Sequence, residues 1–129
     1  MRETSGKCGG VGAEMENDRE LLELAAKAAG YRANVRMQAE RDAAGEGRLG
    51  LWIDGVSTCW NPRHNSAQAF DLGVKLRMSI EICEYENSSY AYAGDVPRFS
   101  AVELWRNDER DATRRAIVRA AAEVGREME

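Results

Sequence analysis

Hydrophobic and polar positions along the chain change period several times, and each change marks an element. Asn17, with Glu20 three residues on, has the pattern of a capped helix start. At 100° per residue, Leu21, Leu22, Leu24, Ala25, Ala28 and Ala29 share one broad face, and Arg19, Glu20, Glu23 and Lys27 lie opposite. This predicts an amphipathic helix that Gly30 ends. The period then drops to two. Tyr31, Ala33, Val35 and Met37 alternate with Arg32, Asn34 and Arg36, which predicts a half-buried strand. Residues 38–47 read as a polar loop, and Leu49, Leu51 and Ile53 predict a second strand pairing antiparallel with the first. Asp54-Gly55 is a turn signal.

Proline after Asn61 disfavours helical backbone there, so Trp60-Asn61-Pro62 is an extended entry into a helix starting near Asn65 or Ser66. That helix has a narrow polar sector of Gln68, Asp71 and Lys75. Ala67, Ala69, Phe70, Leu72, Gly73, Val74 and Leu76 fill the rest, as expected for a deeply buried helix or an oligomer contact. Met78, Ile80 and Ile82 alternate with Ser79, Glu81 and Cys83 as a third strand. Residues 86–89 turn, and residues 90–93 form a fourth strand. Residues 94–98 break the pattern, and Phe99 to Trp105 reads as a short edge strand. A last helix begins near Asp108 or Asp111 and runs to about Glu127, with Ala116, Ile117, Ala120, Ala121 and Val124 as its buried stripe.

The expected order is therefore α-β-β-α-β-β-(β)-α. Hairpins build antiparallel sheets whose apolar faces helices must cover. The class is α+β, expected as a layered α/β/α sandwich of about three helices on a mainly antiparallel sheet of four to five strands. Residues 1–14 (MRETSGKCGGVGAE) hold four glycines and little to bury, so they read as a flexible leader ahead of a single domain at 15–129. Met15 reads as a second translation start, and Cys8 as an exposed thiol.

Composition narrows the function classes. With 129 residues and a net charge of −4, the chain fits one globular domain without disulfides. It has no apolar run of membrane-spanning length. Fifteen of the 18 cations are arginine and 19 residues are alanine, the bias that GC-rich codons produce. An acidic balance with pI near 5.2 speaks against general nucleic-acid affinity.

Candidate chemistry is sparse. His64, the lone histidine, with Cys59 and Cys83 lacks the paired short spacings of a zinc site. A Cys59–His64 nucleophile pair has no supporting local signature. Glu81, Glu84, Glu86, Asp95 and Glu103 include no matched acid–base pair. Trp52, Trp60 and Trp105, with Tyr85, Tyr90 and Tyr92, lie where strand packing explains them better than base stacking. Gly45-Glu46-Gly47 is not at a strand-to-helix junction, so it is no phosphate loop. No catalytic residue, cofactor or metal is expected. The best electrostatic feature is Arg114, Arg115, Arg119 and Arg126 on one sector of the last helix, a candidate partner or nucleic-acid face. Residues 106–129 nonetheless balance six arginines against six acids, the pattern of a salt-bridged face.

Three stretches together resemble small phage and prophage proteins carrying the phage ABA sandwich domain. They are Leu21 to Gly30, Gly50-Leu51-Trp52-Ile53 leading to Trp60-Asn61-Pro62, and Ala112 to Ala122. The likeness covers roughly residues 15–125, and Trp60, Asn61 and Pro62 are its most specific, structural part. It implies a sandwich fold and a phage or prophage origin, hence the cytoplasm of a bacterial host. It supplies no activity and no catalytic residues. Where relatives carry acids after the motif, this chain has Arg63-His64-Asn65-Ser66, and residues 38–47 look inserted. The expected function is that of a non-enzymatic phage accessory protein working through protein–protein contact, self-association included. A nucleic-acid-associated regulator using the arginine face is the alternative. No membrane partner is expected.

Overall fold

The computed structural model describes residues 7–55, 59–93 and 99–128, without the side chains of residues 7–17 and 48. Four α-helices and a three-stranded antiparallel sheet are found among these residues. The helices are α1 (Lys7–Ala29), α2 (Val35–Ala43), α3 (Ser66–Lys75) and α4 (Glu109–Glu127). The strands are β1 (Met78–Cys83), β2 (Ser88–Ala93) and β3 (Phe99–Leu104), in the spatial order β1-β2-β3. The α+β class is as expected, whereas the count of four to five strands and about three helices is corrected to three and four.

The correction lies between residues 31 and 53. The alternating segment at 31–37 is not a strand, because Asn34 becomes a helix cap. Its side chain accepts a hydrogen bond from the Met37 backbone at 3.0 Å and starts α2, which runs through the expected loop. Arginines at 32 and 36 suit a strand's polar face. Arg36 also suits a helix, where it pairs with Glu40 one turn on. Of the expected first hairpin, one bridge between Ala33 and Ile53 survives, and Leu51 forms a second with Trp60. Gly50 allows that closure, since a side chain there would stand 2.6 Å from the Trp60 carbonyl oxygen.

Helix α1 is described from Lys7, upstream of the expected Asn17 cap, so residues 7–14 of the expected leader are helical. Ala13, Glu14, Met15 and Glu16 are good helix formers that carry the helix upstream of Asn17. The rest of the leader, residues 1–6, lies outside the described residues, as do the side chains of Cys8 and Asn17 and the residue Asp95.

The hairpins after residue 77 follow the sequence pattern. Met78 pairs with Ala93, Ile80 with Ala91 and Ile82 with Ser89, and Ala91 pairs onward with Ala101. This register puts Met78, Ile80, Ile82, Ser89, Ala91, Ala101 and Glu103 on one face, which carries α4 and α3. Helix α4 lies between the sheet and α1, so it is buried on two sides. Ala116, Ile117, Ala120 and Ala121 are buried as expected, and Ala112, Val118, Ala122 and Gly125 are buried as well, while Val124 is half-buried. Small residues let the helices approach closely. A Cβ on Gly125 would lie 2.1 Å from the Leu24 carbonyl oxygen of α1. The opposite sheet face leaves Ser79, Glu81, Ser100, Val102 and Leu104 exposed. The layers thus run sheet, α4, α1, and not helix, sheet, helix as expected.

Candidate interaction surface

The four arginines singled out on α4 are engaged within the chain. Arg115 donates to Glu103 at 3.1 Å, to Asp111 at 2.7 Å and to the Leu104 carbonyl at 3.2 Å. Arg119 bonds the other Glu103 oxygen and the Val102 carbonyl. Arg114 reaches the Arg63 carbonyl at 3.0 Å and the Ser66 hydroxyl at 2.8 Å. Arg126 pairs with Glu123 along the helix. Asp111 also takes Arg63 at 2.5 Å. Burial pushes the Asp111 carboxyl up, but Arg63, Arg115 and Arg114 outweigh it and hold the group below the ordinary carboxylate range. Three of the four arginines therefore clamp α4 to β3 and to the loop before α3.

This arrangement also closes one edge of the sheet. Among the described residues, the outer strands β1 and β3 each have one backbone edge without a neighbouring strand. On β3, Arg115 and Arg119 occupy the carbonyls of Leu104 and Val102. On β1, no side chain among the described residues hydrogen-bonds the backbone. A bare edge is a template for pairing with another chain.

The apolar residues beside that edge are exposed. Pro62 and the Asn65 cap, which accepts from the Gln68 backbone at 2.9 Å, fix the start of α3. Ala69, Leu72 and Gly73 then turn inward, and Phe70 and Val74 turn outward. Gly73 gives β1 room, since a Cβ there would lie 3.2 Å from Ile80 Cδ1. Arg77, in left-handed backbone (φ 54), reverses the chain from α3 into β1. Phe70 is 66% exposed, Val74 60%, Ile82 62% and Ile80 38%. Phe70, Ile80 and Ile82 line a largely apolar groove of about 310 Å³, closed on its far side by Thr113, Arg114 and Ile117 of α4. A contiguous apolar patch next to an unpaired strand marks an interaction surface.

The other candidates are dispersed. Trp60 and Pro62 are buried, and Trp60 packs edge-on against Tyr31 with ring centres 5.4 Å apart. The Asn61 side chain donates to the Leu49 carbonyl at 2.9 Å, and its backbone donates to Gln68. The motif is thus a structural corner at the entry to α3. The Cys59 thiol contacts the same Leu49 carbonyl, His64 is exposed beyond the corner, and Cys83 ends β1. Among the described residues no group of three or more His, Cys, Asp and Glu could hold a metal ion, and no helix is long and apolar enough to cross a membrane.

The carboxylates are also apart. Glu103 is on the helix-covered face and Glu81 on the open one, where it accepts from Tyr92. Tyr90 donates to Glu86, a bond that raises the phenol's pKa. The open sheet face therefore sets tyrosines beside acids, unlike a basic groove for nucleic acid. Trp52 is buried under Arg41, and the Trp105 ring nitrogen donates to Ser89 at 3.0 Å. Tyr85 stands in solvent.

The apolar character of α3 was legible in the sequence. The exposure of Ile80 and Ile82 was not, because alternation shows which residues share a face and not how far a helix covers it. Compared with protein-family models, curated proteins and solved structures, the chain gave no match.

Proposed function

We propose that this chain is a non-enzymatic accessory protein of a bacterial virus or prophage that works by binding protein through α3 and the outer edge of β1. The observation that carries the contact reading is the conjunction of exposed Phe70, Val74, Ile80 and Ile82 with a strand edge that is uncapped among the described residues. The phage origin rests on the resemblance of residues 15–125, whereas the helix–sheet–helix layering that the resemblance implies is replaced by sheet, α4, α1. The nucleic-acid alternative has less support, because Arg114, Arg115 and Arg119 are engaged within the fold.

Site-specific photo-cross-linking tests the contact reading. A benzophenone side chain at position 70 is expected to give discrete protein adducts, in purified protein or in bacterial extract, that Ile82→Asp removes. The same probe at position 126 is expected to give none. Adducts only from position 126, together with arginine-dependent binding of labelled DNA or RNA at low salt, would overturn it.

A further inference from the structure

We infer that the occupant of this surface is a second copy of the chain, joined through antiparallel pairing of the two β1 strands about a two-fold axis at Ile80. The inference rests on the reading of α3 and β1 as a contact surface and adds the partner, the register and the symmetry.

The charge along the strand argues for self-pairing. Lys75 and Arg77 precede β1, and Glu84 and Glu86 follow it, all four exposed. An antiparallel copy brings the basic end of one strand beside the acidic end of the other, twice in each dimer. A parallel copy sets like charges together. Symmetric pairing makes one patch complementary to itself, as a two-fold interface requires.

The pleat then restricts the register. Met78, Ile80 and Ile82 must stay on the helix-covered face in both copies, so the axis falls on a residue and not between two. Two such registers keep most of the strand paired. Centred on Glu81, the pairing opposes two carboxylates. Centred on Ile80, it sets Ile80 against its own copy, Met78 against Ile82, and Ser79 against Glu81. Arg77 of one chain then lies diagonal to Glu81 of the other, within reach of a long side chain. Because α3 contacts β1 at Gly73 and Ile80, the axis also brings the two α3 helices alongside. Phe70 and Val74 lose exposure there, and two three-stranded sheets become one continuous sheet.

Sedimentation equilibrium and directed cross-linking of the purified full-length chain test this. The native protein is expected at twice its 14.3 kDa mass. With Cys8, Cys59 and Cys83 changed to Ser, Ile80→Cys is expected to form an inter-chain disulfide on mild oxidation, because a directly opposed pair meets disulfide geometry. Glu81→Cys is expected not to. Glu81→Arg, on the exposed face, is expected to weaken the dimer about tenfold, and adding Arg77→Glu is expected to restore it. A monomer across the concentration series overturns the inference, and so does a dimer that cross-links from 81 but not 80. A monomer whose position-70 probe still captures protein from extract leaves the contact reading standing while this inference falls. Loss of both removes the contact reading too.

Discussion

The two edges of the sheet are built from similar six-residue strands and finished in opposite ways. At β3, Arg115 and Arg119 reach across from α4, hydrogen-bond the Leu104 and Val102 carbonyls, and anchor on Glu103. At β1, the neighbouring helix α3 supplies no such donors. It presents Phe70 and Val74 to solvent beside Ile80 and Ile82. Natural sheets protect their edges by covering or charging them. Among the described residues, one edge here is protected and the other is not. An arginine-rich helix is thus a poor guide to where a molecule binds, because its charges were needed at home. An apolar helix beside an uncapped strand is the better guide, because its requirements are unmet among the described residues.

The largest effect should come from loosening the helix that guards β3. Gly125→Ala pushes a methyl group into the α1 backbone at Leu24, so α4 must shift. A loss of about 3 kcal/mol is expected in urea unfolding, at the upper end for overpacking. Next is the anchor itself. Glu103 is 13% exposed, and Glu103→Gln removes the counter-ion of Arg119 and leaves Arg115 with Asp111 alone. That is expected to cost about 2 kcal/mol, between the values for surface and buried pairs. It should also speed amide exchange along β3 but not β1.

Acid should act on the same side. The folded Asp111 carboxyl lies below its unfolded value, so its stabilising effect is complete above the ordinary carboxylate range. It is lost as pH falls through that range toward the folded value. The melting temperature should drop over that window, and Asp111→Asn should lower stability at neutral pH while flattening this part of the profile. The smallest effect on stability should come from the open edge. Phe70→Ser and Ile82→Thr are expected to change monomer stability by no more than about 0.5 kcal/mol, because these side chains are already mostly in water. They should reduce association at the same time. A large loss of monomer stability would mean that the patch belongs to the core.

The sequence was legible where one period dominates. Helix α4, the β1–β2 hairpin and β3 follow from simple alternation and a 3.6-residue stripe. Between residues 31 and 53 local capping by Asn34 overrode an alternation only seven residues long, and Gly50 turned an expected strand into a tight crossing with Trp60. Of the candidate site, the surplus of apolar residues on α3 was visible beforehand. The partners of Arg114, Arg115 and Arg119 were not, because Glu103, Arg63 and Ser66 are distant in sequence and become neighbours only when β3 and α3 pack on α4.

Hydrogen–deuterium exchange on the purified chain, read by segment across a concentration series, tests the contrast between the edges most directly. The account predicts that amides of residues 78–83 become more protected as concentration rises, while those of residues 99–104 keep constant protection. Protection rising at 99–104 instead, or unchanged at 78–83 throughout, would contradict it.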